Sequence, residues 1–460
     1  MKRRLYFGIL VCLFAGLCGC KKENAAEKGK SGYDYDFVSE DYVQGGGSAV
    51  LSTDKGYYYR RMSDSAICYV DYESGTDMVL CNKPECRHDG NAFCVATNDA
   101  YHITDLRLYN GKLLATALGA ENNELCYKLL CIEPDGSELN ELVTYYTMVE
   151  AGQTATPYMT DGFQIHRNKV MLPFGVIGKE GLEDTEYYGL AVYDLNTKEL
   201  TYVDEEPLSK EYGDASCIKG YKDWFFVCRN VGKKTRLYRY NINDKTMEEH
   251  ELLSAFSGVY GIKDENTVIY LRCGGAKVGT EFYIYHLDTK ENEMAATLKK
   301  IEYTDYNEDG IAEEREQIYS AVGMEMDESY IYVAEQGVTY RGTLTSDGEV
   351  RVERNIHIYT HDLEKVGMVN FADALLEHHP ELKDWGIDED SLYGVYTYIY
   401  ADHDLYYKDE EAYCVVRANT ETEIVEHLYK CNKEDLLAGK PVLVLVYRDK
   451  MDMVTDFGAR

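Results

Sequence analysis

Short apolar runs rich in tyrosine alternate along the chain with polar turns of recurring composition. The clearest turn, residues 193–199, reads Tyr-Asp-Leu-Asn-Thr-Lys-Glu and lies between the strand-like runs 189–192 and 200–203. Asp, Asn and Thr favour turns because their side chains hydrogen-bond the nearby backbone. The pattern therefore predicts a β-hairpin whose tip is this turn.

The hairpin recurs, so that the chain holds seven copies of it. Further copies lie at residues 70–75, 131–136, 240–246, 285–291, 359–364 and 429–434. A second unit, a turn followed by an apolar strand, precedes the copies, for example at 55–59, 110–114, 223–227 and 328–333. Each repeat then has four strands, which the fifth repeat places at 259–262, 267–272, 281–286 and 293–298.

Four-stranded repeats of about forty to fifty residues are typical of β-propeller blades. We therefore predict an all-β fold, a β-propeller of seven four-stranded blades over residues 46–450. Six or eight blades remain alternatives because the last two repeats are long. Seven matched copies are too many for a β-sandwich.

Two segments near the C-terminus depart from the repeat. A short helical insertion is predicted near residues 370–385, with Asn370 as N-cap, Pro380 as the stop, and an apolar face that also carries His378. The Val/Leu run at 441–447 predicts a buried closing strand.

The N-terminus has the features of an export leader. Three basic residues precede an apolar stretch at 5–17, which is too short to span a bilayer. The following Leu17-Cys18-Gly19-Cys20 resembles the lipobox of bacterial lipoproteins. This resemblance implies a signal peptide at 1–19, cleavage before Cys20 and a diacylglycerol thioether on Cys20, so that the protein is extracytoplasmic and anchored in the cell membrane. An ordinary secretory leader is the alternative.

The composition of residues 20–45 predicts a tether. Within it, the segment 33–43 alternates aromatic and acidic residues and could add an edge strand that closes the ring of blades. The formal net charge of the chain is −33, which argues against binding to nucleic acid because that needs a basic face. We interpret the 43 tyrosines as packing between blades. The alternative is a ring-stacking surface for sugars or peptides.

Three cysteines and one histidine lie close together in the sequence Cys81-x4-Cys86-x-His88-x5-Cys94. Three thiolates and an imidazole suit a closed, structural zinc site. An exported protein can instead oxidise its thiols, so a disulfide with one spare cysteine is an equal alternative. The remaining mature cysteines lie mostly in strand-like runs, where we expect small buried side chains.

The same segment carries a resemblance to a known group of proteins. Leu80, Cys81, Pro84, Cys86, His88 and Cys94 match a motif that follows the first blade in predicted propeller lipoproteins of clostridial bacteria. The chain resembles that family in its leader, in this motif and in its repeats. The family has no settled activity, so the resemblance implies the fold and the location only.

A second candidate metal site follows the fifth repeat. The segment Asp305-x-Asn307-x-Asp309-Gly310-x5-Glu316 matches the twelve-residue calcium loop at each specified position. The predicted ligands are side-chain and backbone oxygens of Asp305, Asn307, Asp309, Ile311, Glu313 and Glu316. Strands are predicted on both sides, so the loop would resemble the calcium loops between blades of integrin-type propellers. An ordinary polar turn is the alternative.

No catalytic signature is present in the sequence. It has no Gly-x-Ser-x-Gly elbow, no His-Glu-x-x-His and no phosphate-binding glycine loop, and His378-His379 fits a pair of surface residues. We predict a non-catalytic binding or scaffold module at the cell surface, whose ligand is a protein or a glycan. The alternative is a carbohydrate-active enzyme that acts on polysaccharide or peptidoglycan fragments.

Overall fold

Seven antiparallel sheets follow one another along the chain and form a seven-bladed β-propeller. The computed structural model describes residues 50–452 except for the following positions: 54, 62–63, 91–93, 123, 149–155, 159–161, 181–182, 232–233, 254–259, 274–279, 298–310, 328, 344–348, 386, 388–399, 409–410 and 420–422. Among the described residues, no helix has the length and apolar character that would let it cross a membrane.

Blades 1 to 3 occupy the N-terminal part of the described chain. Blade 1 is β1 (Val50–Ser52), β2 (Gly56–Arg60), β3 (Ile67–Asp71) and β4 (Asp77–Val79). Blade 2 is β5 (Tyr101–Tyr109), β6 (Lys112–Glu121), β7 (Glu124–Ile132) and β8 (Leu139–Thr147). Blade 3 is β10 (Gln164–His166), β11 (Lys169–Glu180), β12 (Glu183–Asp194) and β13 (Leu200–Tyr202), with β9 (Thr156–Tyr158) as an extra strand on β11.

Blades 4 to 7 repeat the same strand order. Blade 4 is β14 (Asp214–Tyr221), β15 (Trp224–Val231), β16 (Lys234–Asn241) and β17 (Met247–Glu251), and blade 5 is β18 (Tyr260–Asp264), β19 (Thr267–Cys273), β20 (Thr280–His286) and β21 (Glu291–Thr297). Blade 6 is β22 (Ile311–Met326), β23 (Tyr330–Thr343), β24 (Glu349–Thr360) and β25 (Lys365–Asn370). Blade 7 is β26 (Tyr400–Lys408), β27 (Glu411–Asn419), β28 (Glu423–Asn432) and β29 (Val444–Asp452).

The recurring turn joins the third and fourth strands of blades 1 to 6, as predicted. The seventh predicted copy, at 429–434, is wrong, because it covers the end of strand β28 and the start of a short helix (Lys433–Leu437). In blade 3 the Asp194 carboxylate accepts hydrogen bonds from the amides of Asn196 and Thr197, at 2.8 and 3.1 Å. Burial alone would raise the pKa of Asp194, but the ion pair with Lys169 and these amides lower it to about 2. Lys198, with φ of +61°, completes the reversal, and the equivalent lysines of blades 4 and 5 have the same conformation.

Seven apolar clusters lie between neighbouring blades of the described chain, one at each of the seven blade interfaces. Tyrosine contributes to most of them, and Tyr59, Tyr145, Tyr270, Tyr285, Tyr332 and Tyr429 are among the largest fully buried side chains. The prediction that tyrosines pack the blades is confirmed. Each blade therefore buries its faces against two neighbours, which is what a radial repeat requires.

Side chains join the last blade to the first. The rings of Tyr59 and Tyr447 stack at 4.2 Å, and the Tyr447 hydroxyl donates to the buried Glu426 carboxylate at 2.6 Å. The Lys430 ammonium lies over the ring of Tyr57 at 5.5 Å. The predicted closing strand at 33–43 lies outside the described residues.

The helical insertion has the predicted cap. Helix α1 (Phe371–His378) begins after Asn370, whose side chain accepts from two amides of the first turn, and a 3₁₀ turn (Pro380–Trp385) follows. His378 is the last residue of this helix, and its side chain is exposed. His379 is largely buried and contacts the Leu443 carbonyl at 2.7 Å, so the prediction of a surface pair holds for His378 alone.

The predicted buried closing strand at 441–447 is wrong in its bounds, and its burial is confirmed only in part: Leu443 and Tyr447 are buried. A second short helix, α2 (Lys433–Leu437), precedes the segment, and strand β29 begins at Val444. Val442 and Val444 are both about half exposed. The reason is that β29 is the outermost strand of blade 7 and has no further strand beside it in the described sheet.

Candidate metal centre

The connection between blades 1 and 2, residues 80–100, forms a loop whose two ends lie together on strand β3. The Leu80 amide donates to the Ile67 carbonyl at 2.9 Å, and the Ile67 amide donates to the Ala96 carbonyl at 3.2 Å. We call this segment the crossover loop. Both of its ends are therefore fixed by one residue of blade 1.

The crossover loop brings the four predicted ligands into one cluster. The side-chain ligand atoms of Cys81, Cys86, His88 and Cys94 all lie within 4.8 Å of one another. The His88 Nδ1 and Cys94 Sγ atoms are 3.5 Å apart. This is the single cluster of its kind in the part of the chain that the structure describes. The four side chains could hold a metal ion, and their three thiols are free.

The spacing agrees with tetrahedral coordination. Zinc bonds of about 2.3 Å to sulfur and about 2.0 to 2.1 Å to nitrogen put a sulfur and a nitrogen ligand roughly 3.5 Å apart at the tetrahedral angle. The observed distance between His88 and Cys94 has this value. The donor set, three sulfurs and one nitrogen, is also the set that soft or borderline metals prefer.

Local backbone geometry explains how so short a segment converges on one point. The Cys86 amide donates to the Lys83 carbonyl at 3.0 Å and closes a tight turn. His88 and Gly90 then adopt left-handed conformations with φ of +57° and +83°, which reverse the chain toward Cys94.

Cys94 lies at the apolar base of the centre. Its side chain is fully buried, and its sulfur accepts a hydrogen bond from the Thr97 amide at 3.4 Å. A hydrogen bond from a backbone amide to a ligand sulfur fixes the direction in which that sulfur points. Thiolate is the form that binds metal. The protein thus supplies an outer-shell partner for this ligand.

The outer turn of blade 2 contacts the start of the crossover loop. The Asn82 amide donates to the Gly136 carbonyl at 3.3 Å. Gly136 has φ of +68°, and a Cβ atom there would lie 2.7 to 2.8 Å from backbone atoms of Leu80 and Cys81. The turn therefore approaches the first ligand as closely as only glycine permits.

The other predicted site residues lie largely outside the described residues. This is the case for Cys20 and for Asp305, Asn307 and Asp309 of the calcium loop. Ile311, Glu313 and Glu316 belong to strand β22 (Ile311–Met326). Calcium binding stays a prediction.

Sequence reasoning missed two buried pairs of polar side chains. Arg229 and Asp204 form a bidentate pair with distances of 2.9 and 2.8 Å, and both side chains are about 1% exposed. Glu335 and His357 form another buried pair in blade 6. Charged residues at these positions carried no spacing that would mark them, because their partners lie on other strands or loops.

Comparisons with known proteins give weak similarities. No protein-family model and no curated protein matches the chain. A prolyl endopeptidase is 11% identical over 80% of this chain, with a TM-score of 0.34. The β-propeller domain of the Trilobed protease from Pyrococcus furiosus is 12% identical over 72% of this chain, with a TM-score of 0.33. A GH43_1 enzyme from Xanthomonas citri complexed with xylose is 10% identical over 59% of this chain, with a TM-score of 0.27. The chain covers 51% of the prolyl endopeptidase chain and 92% of each of the other two. The seven-bladed architecture rests on the strand pairing itself.

Proposed function

We propose that this protein is a lipid-anchored extracytoplasmic β-propeller that acts as a non-catalytic binding or scaffold module at the cell surface. The observation that carries the proposal is the architecture: seven blades form one propeller, and an apolar cluster fills each interface between neighbouring blades. Propellers use this architecture to present loops to a partner. The lipobox at 17–20 supports the location, and the acidic charge makes a protein or a glycan the expected ligand rather than nucleic acid.

Binding and hydrolysis assays on the protein body, without its leader, test the role. We expect a glycan or an envelope protein to bind reversibly and to be recovered unchanged. Turnover of a polysaccharide or peptidoglycan fragment would refute the non-catalytic role and would support the carbohydrate-active alternative. An array with no binder among glycans, peptides and envelope extracts would also count against a binding module.

Fractionation of the producing cells tests the anchor. We expect Cys20→Ala to leave an unprocessed precursor or a released protein, because the modified sulfur is gone. A Cys20→Ala protein that stays in the membrane fraction with normal processing would contradict lipidation. Cys18→Ala is the matched control, since it changes the neighbouring cysteine and keeps the modified one.

We propose that the ion of the Cys81–Cys86–His88–Cys94 centre is zinc. Four protein ligands leave no open position for water or substrate, so the role is structural. Metal analysis and thiol titration of protein purified without reductant test this. We expect one zinc per chain, lost in Cys86→Ala and kept in Cys126→Ala, whose buried cysteine lies elsewhere, in blade 2. A chain without zinc in which two of the three cysteines are bridged would support the disulfide instead.

We propose that the loop at 305–316 binds calcium, which takes six to eight oxygen ligands. Melting curves with calcium and with a chelator test it, since calcium that binds the folded form raises the melting temperature. We expect Asp309→Ala to remove most of that shift. Identical curves for the wild-type protein under both conditions would make the loop an ordinary turn.

A further inference from the structure

Blade 1 is much smaller than the blade that follows it. Its strands β2, β3 and β4 have 5, 5 and 3 residues, whereas the corresponding strands β6, β7 and β8 of blade 2 have 10, 9 and 9. So few ladder hydrogen bonds give a small sheet little stability of its own. Blade 1 must therefore take its order from contacts outside its own strands.

The crossover loop provides a large part of these contacts. Leu80, Cys94, Val95 and Ala96 are buried in the apolar cluster between blades 1 and 2, and Cys81 and Cys86 pack against it. The same loop is hydrogen-bonded to both sides of Ile67 in strand β3. The loop thus supplies buried apolar side chains that the short strands of blade 1 do not provide.

The four ligands are placed where cross-linking fixes this loop. Cys81 follows directly on the buried Leu80, and Cys94 comes directly before the buried Val95, so these two ligands mark the two ends of the loop. Cys86 and His88 lie between them. An ion bound to all four joins the two ends to the middle and holds both buried segments in place.

The loop is also in direct contact with blade 2. Besides the close approach of Gly136, the Asn82 side chain lies 3.4 Å from the Asp135 carboxylate. Strand β2 adds two contacts nearby: the Tyr58 hydroxyl donates to the Pro134 carbonyl at 3.0 Å, and the Arg60 guanidinium donates to the Ile103 carbonyl at 2.7 Å.

We propose that the metal centre is a clamp between blades 1 and 2, so that metal occupancy sets the order of blade 1. The inference rests on the proposed metal binding and adds what the ion does there. When a site forms only in the folded state, binding free energy becomes folding free energy. By linkage, metal binding and an ordered junction favour each other, so a change that opens the junction in the metal-free protein weakens metal affinity.

Hydrogen exchange read by mass spectrometry, on the zinc-loaded and the chelator-stripped protein, tests the clamp. On removal of zinc we expect the exchange rate to rise on the order of tenfold in peptides that cover β2, β3 and the turn at 133–138, because the free energy of local opening falls there. Strands β15 and β16 of blade 4 serve as the internal reference, and their exchange should not change.

A matched pair of glycine variants tests the junction without touching a ligand. Gly136→Ala puts a methyl group against Leu80 and Cys81, whereas Gly111→Ala, with a similar φ of +72°, meets open space. Both variants place an alanine in a left-handed conformation and carry the same kind of backbone strain. The difference between their effects therefore reports the contact of the new methyl group with Leu80 and Cys81. We expect Gly136→Ala, and not Gly111→Ala, to weaken zinc affinity several-fold and to raise exchange in β2 and β3.

The outcomes separate the two proposals. Zinc that binds at one per chain while its removal changes exchange only within residues 81–98 would overturn the clamp and leave the zinc site standing. Equal increases in blade 4 would also overturn it, since the effect would then be global. A chain that binds no zinc would overturn both.

Discussion

Replacing Arg229 with methionine should lower the free energy of unfolding by about 3 to 5 kcal/mol. The Arg229 guanidinium makes two charge-assisted hydrogen bonds to Asp204, at 2.9 and 2.8 Å, where both side chains are about 1% exposed. It also lies over the rings of Tyr212 and Tyr238 at 5.3 and 5.2 Å. Methionine fills similar space but leaves the Asp204 carboxylate buried without its cation, and that uncompensated charge is the main cost.

Arg236→Met is the matched control for this variant. Arg236 is the cross-strand partner of Arg229 in the register of β15 and β16. It pairs with Glu249 at 2.7 Å, but these side chains are 31% and 49% exposed. Solvent screens such a pair, so the control should cost less than about 1 kcal/mol.

Urea unfolding followed by circular dichroism measures both variants, and a double variant completes the test. Arg229→Met with Asp204→Leu should be more stable than Arg229→Met alone, because it removes the unpaired carboxylate. The reasoning would be refuted if Arg229→Met were no less stable than Arg236→Met. It would also be refuted if the loss of stability in the double variant equalled the sum of the losses in Arg229→Met and in Asp204→Leu.

Three further predictions concern single side chains. Asn370→Ala should cost about 1 kcal/mol in urea unfolding, because helix α1 loses its N-cap, and an unchanged midpoint would contradict this. Tyr447→Phe keeps the ring stacked on Tyr59 but takes a donor from the buried Glu426, so it should cost about 1 to 3 kcal/mol, whereas a neutral effect would show that the hydroxyl is dispensable. Burial lowers the pKa of His427 to about 4, so the unfolded chain binds this proton first and stability falls as the pH drops from about 6.5 to about 4. Relative to the His427→Gln variant, the wild type should lose stability in that window, and parallel pH curves would contradict it.

The repeat could be predicted from the sequence because each turn is stabilised by hydrogen bonds between residues that are close in the sequence. Asp194 and its equivalents bond to amides two and three residues ahead, so the information lies within a few positions. For the same reason the predicted strands of the fifth repeat agree with β18 to β21 to within a few residues. The half-exposed β29 was predicted as buried, because an apolar run does not tell whether another strand covers it.

The metal cluster could also be predicted, since its four ligands lie within one loop. The packing of this loop between two blades could not be predicted, because the residues that contact it, Ile67 and Gly136, lie in other parts of the chain. The pair Arg229 and Asp204 was missed for a similar reason. Those residues are 25 positions apart, and only the folded crossover between blades 3 and 4 brings them together.

Strand pairing in the described residues stays inside each blade, and this makes the propeller divisible. A cut between Ser209 and Gly213 would separate blades 1 to 3 from blades 4 to 7 without dividing any described sheet. Each fragment would then present half of the apolar cluster that contains Met171 on one side and Phe225 on the other. Two such fragments have matching surfaces at two places, this one and the contact between blades 7 and 1, and so can reassemble by complementation. Circular permutation at the same point preserves every described strand pair, provided that a linker joins the original ends.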